Sequence, residues 1–440
     1  MNILLLCNKP NIGSDANTIV DHIEAFERYS KYKIWVLSNM GSLPSGLNLE
    51  KFDAIIIHYS TYLLNDYYIS RKSKNRIRNY TGLKVVFIQD EYRKIDLMNA
   101  ELSYLNIDVL YTCFPESEIN NIYAPLINVS KYNNLTGYIP SRLTTVQTQV
   151  PINKRPLHMG YRGRKVPYWL GELAYEKWSI VDKWFYFVGK DTLKVDLSYD
   201  EKDRIYGKDW IAFLSSCKAT LGVESGASVM DFSGELEKKI DVHQLLYPND
   251  TFLDIQNKYL LDYEGKYKLN QISPRCFEAI ALKTVLVLYE GEYSGILVPG
   301  RHYIKLKKDF SNIQEVIRML KDDELLQNMA NLAFDEIALN PAYSYKSFIE
   351  SVDEVLSSEF LSRKKLTVGS PYKDKKYQDV IKWAVRKNKF KNSVFKSYSR
   401  LPAWFRFLIK IVLRPKSGVQ SFKEFILNFY LKIMKKIKYA

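Results

Sequence analysis

The chain opens as a series of short apolar runs separated by polar or helical stretches: NILLLC (2–7), YKIWVL (32–37), FDAIIIH (52–58), LKVVFIQ (83–89) and IDVLYT (107–112). Runs rich in Ile and Val, with helix-length gaps between most of them, predict β-α-β units and a parallel sheet. The runs end in polar residues, among them His58, Asp90 and Glu91. In open α/β sheets those carboxyl ends line the ligand crevice. Periodicity lapses over 136–156, where Pro140, Pro151 and Pro156 flank a Thr/Gln-rich run and predict a linker. A second alternating set follows: LHMGY (157–161), WFYFVG (184–189), ATLGVE (219–224) and TVLVLY (284–289), with a helical pattern over 167–181. The expected fold class is α/β, with two Rossmann-like lobes facing a cleft. The lobes are expected over 1–150 and 151–365, ahead of a basic helical tail over 366–440.

The tail has a different pattern. In SFKEFILNFYLKIMKKIKYA, Phe422, Phe425, Ile426, Phe429, Ile433 and Ile437 share one helical face, with Lys423, Lys432, Lys435 and Lys436 mostly off it. Ser421 and Glu424 have the spacing of a capping box. The stretch 402–415 is more apolar but shorter than the roughly 20 residues needed to cross a bilayer.

Charge sharpens this division. The formal net charge is +15. Residues 371–440 hold 19 Lys+Arg against three acids, a net of +16, and the preceding residues hold 45 against 46, a net of −1. A basic tail with an aromatic amphipathic face predicts a helix lying on an anionic membrane surface. Lys432, Lys435 and Lys436 would meet headgroups, and Phe422 and Phe429 would enter the acyl boundary. Packing onto the body would use the same residues. Nucleic acid is not expected as a partner, because the aromatics cluster on one face and the body has no basic excess.

Composition narrows the class further. At 440 residues, 46% hydrophobic and 26% charged, the chain suits two soluble domains. The amino-terminal apolar run is short and lacks a basic lead-in, so it reads as a first strand and not as a signal peptide, and predicts a cytoplasmic protein held peripherally at the inner face of the membrane. Cys7, Cys113, Cys217 and Cys276 form no C-x-x-C pair and read as reduced core residues. The five histidines show no H-x-x-x-H or H-E-x-x-H spacing, so no metal site is expected. There is no G-x-G fingerprint, no complete P-loop and no D-x-D.

Two clusters carry candidate chemistry. In SPRCFEAIALKTVLVLYEGEYSG (273–295), Ser273 can cap a helix and Pro274 suits its first position. The free N–H groups of that turn attract an anion. Arg275 would add a bidentate phosphate contact. Glu278, one turn on, could accept hydrogen bonds from ribose hydroxyls. The pair could equally be a surface ion bridge over a packing helix. In GYRGRK (160–165), two glycines allow close backbone approach, and Arg162 and Arg164 would neutralise a phosphate.

PRCFEAIAL with the strand after it, EGEYSGIL, HYIKLKKDFSN (302–312), GYRGR and GVESGAS (222–228) together resemble the donor-binding half of nucleotide-sugar glycosyltransferases of the GT-B fold. The branch is the group 1, spore-maturation-like one, and the likeness covers about residues 155–320. It implies that Glu278 holds the ribose and that Arg275, or Arg162 and Arg164, bind the diphosphate. It also implies that the turn with Glu292, Tyr293, Ser294 and Gly295 borders the donor sugar. The chain departs from the family at Lys283, where many relatives have glycine, and at Glu224, which lies far upstream of Glu278 where a closely spaced glutamate pair is usual. The implied reaction needs no cofactor, the nucleotide-sugar being a substrate, and passes its sugar to a glycan or glycolipid acceptor. His58, Asp90 and Glu91 are candidate general bases, and for each a cap or loop role is the alternative. The rivals are an inactive sugar-nucleotide-binding protein and a nucleic-acid-associated protein.

Overall fold

A computed structural model describes residues 1–11, 15–145, 149–363 and 372–386, the last stretch without Trp383 and Val385. The first lobe is a six-stranded parallel sheet of β1 (Asn2–Cys7), β2 (Lys33–Ser38), β3 (Ala54–Ile57), β4 (Leu83–Phe87), β5 (Val109–Thr112) and β6 (Ser130–Asn133), in the order β2-β1-β3-β4-β5-β6. Helices α1 (Asn17–Tyr29), α2 (Arg71–Arg78), α3 (Ile95–Leu105) and α4 (Glu116–Ile122) connect its strands. The second lobe is a five-stranded parallel sheet of β7 (Leu157–Arg162), β8 (Val195–Ser198), β9 (Cys217–Gly222), β12 (Val285–Tyr289) and β13 (Tyr303–Leu306), in the order β13-β12-β9-β7-β8. A short antiparallel pair, β10 (Ser225–Gly226) with β11 (Asn270–Gln271), lies beside it. Its helices are α5 (Glu172–Val188), α6 (Gly207–Ser216), α7 (Glu235–Leu246), α8 (Phe252–Ile255), α9 (Pro274–Ala281), α10 (Ile313–Leu320) and α11 (Asp323–Ala333). The two expected Rossmann-like lobes are therefore present and face one another.

Strands β3, β4 and β12 are buried along their whole length. That is the signature of a parallel sheet covered on both faces, and it is why their sequences read as unbroken apolar runs. The edge and short strands β6, β8 and β13 carry polar residues and are not announced by the pattern. One predicted strand is a helix: WFYFVG closes α5. Trp184 and Val188 continue the buried stripe of Ile180 and Val181, while Tyr186 faces solvent at 83% exposure. Gly189, at φ 77°, ends the helix in the left-handed region. Aromatic enrichment had suggested β structure, but the 3.6-residue period of burial decides the matter.

A last helix, α12 (Tyr345–Ser362), lies inside the stretch expected to be the second lobe but packs on the first. Tyr345, Phe348, Ile349, Val352 and Leu356 join one core with Ile23 and Phe26 of α1 and Phe87 of β4. The division of the chain in space therefore departs from the 151–365 boundary, because this apolar stripe is buried only by crossing back. The lobes are also stitched by backbone: Lys94 N donates to Asp231 O (2.7 Å), Asp231 N to Tyr92 O (2.9 Å) and Asp96 N to Phe232 O (3.1 Å). All four cysteines are buried and unpaired. Among the described residues no helix is long and apolar enough to cross a membrane. The tail residues Phe422, Phe429, Lys432, Lys435 and Lys436 lie outside the described residues.

Phe348 is 6% exposed and stacks on Tyr138 at 4.3 Å. Phe348→Ala should cost the protein about 3–5 kcal/mol in equilibrium urea unfolding. A loss under about 1 kcal/mol would mean that α12 is not part of the first lobe's core.

Candidate functional site

A cavity of about 440 Å³ lies between the lobes, where the carboxyl ends of both sheets meet. From the first lobe it is lined by Asp90 and Tyr92 after β4 and by Ala16, Asn17 and Thr18 at the start of α1. From the second lobe come the end of β7, residues 220–225 at and just beyond the end of β9, Tyr206 and Gly207 at the start of α6, and Ser273, Pro274 and Arg275 at the start of α9. Three helix amino termini thus converge on one space. The α9 end forms as its sequence requires: Ser273 Oγ accepts the Arg275 N–H at 3.4 Å, and Pro274 occupies the first turn, where its missing N–H costs nothing.

The cations around the cavity differ in how far they are already committed. Arg275 is exposed, lies 5.9 Å from the centre of the Tyr161 ring and donates to the carbonyl of Arg162. The guanidinium of Arg162 is spent structurally: it grips Asp196 with two bonds of 2.9 and 2.8 Å, donates to Asp203 O at 2.9 Å and lies over Phe213. The expected phosphate role of Arg162 is corrected accordingly, since its charge is matched by Asp196 and its carbonyl steadies Arg275. Arg164 is exposed at the cavity wall and has no ion-pair partner among the described residues. Two further cations escaped sequence reasoning. Lys177 reaches the cavity from α5 and donates to Gly226 O at 2.6 Å, and burial pushes its ammonium down to about 8. Arg204 stands at the rim, paired with Glu201 at 2.9 Å. The only signal for Lys177 was a lone cation on the buried side of an amphipathic helix.

Glu278 lines the cavity at 5% exposure. Its Oε2 accepts the Trp210 indole N–H at 2.8 Å. Burial, only partly offset by that bond, pushes its carboxyl up to about 7. Glu224 also lines the cavity, but its carboxylate is a tether. It accepts the N–H groups of Glu292 (3.0 Å) and Tyr293 (2.8 Å) and the Asn270 amide (2.8 Å). Gly291 is required beside it, because a Cβ there would lie 2.7 Å from the Glu224 carboxyl carbon.

The turn that Glu224 holds does not itself reach the cavity wall. Tyr293 is fully buried and donates to Tyr289 O at 2.6 Å, Ser294 Oγ accepts Ile272 N–H at 3.1 Å, and Glu292 pairs with Lys268. Glu292, Tyr293, Ser294 and Gly295 sit behind Glu224, which corrects their expected place beside a donor sugar.

Of the three candidate bases only Asp90 lines the cavity; it is exposed and held at φ 57°. His58 is wholly buried, with Nε2 3.0 Å from His22 Nδ1 and Nδ1 2.9 Å from Ser60 Oγ. Burial holds it well below the usual imidazole range. Glu91 is turned into the sheet, where it accepts Cys113 N–H at 2.7 Å and the hydroxyls of Thr112 and Tyr123. Neither can meet a substrate. The chain leaves the strand after Phe87 and turns at Asp90 in the left-handed region, which leaves Asp90 at the cavity while Glu91 is turned inward.

No family model matches this chain, and no curated protein matches it. Among solved structures it is similar to phage T4 BGT in complex with its UDP-glucose substrate, at 12% identity over 84% of this chain and 99% of that one, with a TM-score of 0.45. It is also similar to an alpha-glucosyltransferase in complex with UDP and a 13-mer DNA containing a HMU base, at 10% identity over 81% and 98%, TM-score 0.48. A third is TarM, at 13% identity over 77% and 58%, TM-score 0.38. Likeness at this level concerns the path of the chain.

Burial pushes the Glu91 carboxyl up to about 7 against the pull of its three donors. Between about pH 4.5, where the unfolded carboxyl loses its proton, and about pH 7, folding therefore takes up a proton. Stability from this group is complete below pH 4.5 and is lost as pH rises through 7, by roughly 3 kcal/mol. Urea unfolding of the ligand-free protein across that range should show the decline, and Glu91→Gln should remove its share of it, leaving that of Glu278, which burial pushes up in the same way. An unchanged slope in Glu91→Gln would mean that this carboxyl is already ionised in the fold.

Proposed function

We propose that the cavity binds a nucleotide-sugar and that the protein is a glycosyltransferase. The observation that carries this reading is the gathering of three helix amino termini with Arg164, Lys177, Arg204 and Arg275 around one cavity between two lobes. Such an arrangement suits a diphosphate, whose oxygens take N–H donors and guanidinium groups together. Glu278, one turn from Arg275 and already steadied by Trp210, would accept hydroxyls of a ribose in this reading.

In the reaction an acceptor hydroxyl attacks the anomeric carbon. The bond from that carbon to the phosphate oxygen breaks, and the nucleoside diphosphate leaves with the electron pair. Asp90 is the base candidate on the acceptor side and would take the hydroxyl proton. Arg275, Arg164 and Lys177 stabilise the charge that grows on the leaving group, the kind of contribution whose loss typically costs on the order of 10²–10³ in rate. In this reading cationic side chains and helix ends do that work without a metal. The acceptor is a hydroxyl of a lipid-linked or nascent surface glycan, met at the inner face of the membrane, where the basic tail attaches the enzyme. The tail's charge and aromatic pattern support that location.

A thermal-shift screen against nucleoside diphosphates tests the reading. A ligand at 100 times its dissociation constant should stabilise the fold by about 2.7 kcal/mol. Arg275→Ala should weaken that ligand roughly 10- to 100-fold, the equivalent of one charge-assisted contact, without lowering the melting temperature of the free protein. If no nucleoside diphosphate shifts the wild type, the reading fails. Asp90→Asn should keep nucleotide affinity and lose sugar transfer; transfer at the wild-type rate would remove Asp90 from the chemistry.

A further inference from the structure

The first lobe carries a basic face that the cavity does not use. Helix α2 reads RKSKNRIR, five cations and no acid in eight residues, within a body whose net charge is −1. Its apolar and small positions turn inward, with Ser73 and Ile77 buried, and Arg71, Lys72 and Arg78 are left on the surface.

The carboxyl-terminal segment 372–386 docks beside it. The Tyr372 hydroxyl accepts the N–H of Asn48 at 2.5 Å and donates to Gly46 O at 3.2 Å, and Tyr377 packs on Trp35 at 4.6 Å. The same 41–48 loop is held from its other side by α2. Ser73 Oγ accepts Leu43 N–H at 2.8 Å, and Arg76 donates to the carbonyls of Pro44 (2.9 Å) and Leu47. Both helical segments therefore contact one loop, and both carry exposed cations. Acids offset part of this charge: Glu101 meets Arg71 and Lys74, and Asp374 meets Lys33. Among the described residues no carboxylate lies within ion-pair distance of Lys72, Arg78, Lys375, Lys376, Lys382 or Arg386, of which all are exposed.

We infer that this face, α2 together with the docked segment 372–386, is a docking surface for an anionic lipid bilayer, separate from the tail's own apolar stripe. Charge complementarity supplies the attraction. The choice of bilayer over nucleic acid rests on the chain that continues from Arg386. It carries the apolar run PAWFRFLIKIVL and the Phe/Ile stripe of 422–437, which a phosphodiester backbone would leave in water but an acyl boundary would bury. The inference builds on the membrane location proposed above and adds the folded lobe to it.

Full-length protein is the material for the test, in three forms. These are the wild type, a face variant Lys72→Glu/Arg78→Glu/Lys375→Glu/Lys376→Glu, and a tail variant Lys432→Glu/Lys435→Glu/Lys436→Glu. Partitioning is measured onto phosphatidylcholine vesicles with and without phosphatidylglycerol, at low and high salt, with a duplex DNA as competitor. The face variant should bind the anionic vesicles roughly 100-fold or more weakly, while melting like the wild type and keeping its response to nucleoside diphosphates. Wild-type binding by the face variant, with loss only in the tail variant, overturns the face and leaves the tail reading standing. Preference for duplex DNA over anionic vesicles overturns the lipid assignment. Absence of any vesicle binding by the wild type overturns both.

Discussion

Positive charge gathered where two parallel sheets end is the feature around which this molecule is arranged. Helix dipoles alone supply only fractional charges that fade within a turn. Their effect becomes useful here because the amino termini of α1, α6 and α9 share one partly enclosed space with Lys177 and Arg275. Lys177 and Glu278 are largely desolvated there, so their charges act over a lower effective dielectric than they would on an open surface. The opposite shifts of Lys177, pushed down to about 8, and Glu278, pushed up to about 7, express the same desolvation.

Much of the surrounding structure exists to hold these groups without competing with them. Arg162 is neutralised by Asp196 and offers its carbonyl to Arg275. Glu224 accepts backbone N–H groups and fixes the turn at 290–295, whose residues Tyr293 and Ser294 are held at φ 45° and 57°. Left-handed backbone at non-glycine residues costs energy and persists only where surrounding contacts over-determine it. Here the contacts are the Glu224 carboxylate, the Tyr293 hydroxyl bond and the Ser294 bond to Ile272. On the first lobe, the backbone stitches between 92–96 and 231–232 hold the segment that begins at Asp90 in register with the second lobe.

The residues that sequence reasoning placed well share a property. Ser273, Pro274, Arg275 and Glu278 are local: cap, first turn and helical spacing sit within six positions, and α9 formed where that spacing put it. The central strands were equally plain, because burial on both faces demands continuous apolar runs. The misplacements share the opposite property. WFYFVG was read by composition although its burial follows a helix. His58, Glu91 and Arg162 were read from position at strand ends, yet each is claimed by a residue distant in sequence or turned into the core: His22, Tyr123 and Asp196.

From the order of residues alone came the α/β class, two lobes, a charged tail set against a neutral body, and the capped start of α9 at Ser273 and Pro274. These follow from local propensity, periodicity and totals, which need no partner across space. Which cations remained free, which carboxylates became tethers, and that Lys177 would reach the cavity were settled only when the lobes closed on one another. Ion pairing and desolvation act between groups tens to hundreds of residues apart, and a linear pattern holds no record of those distances.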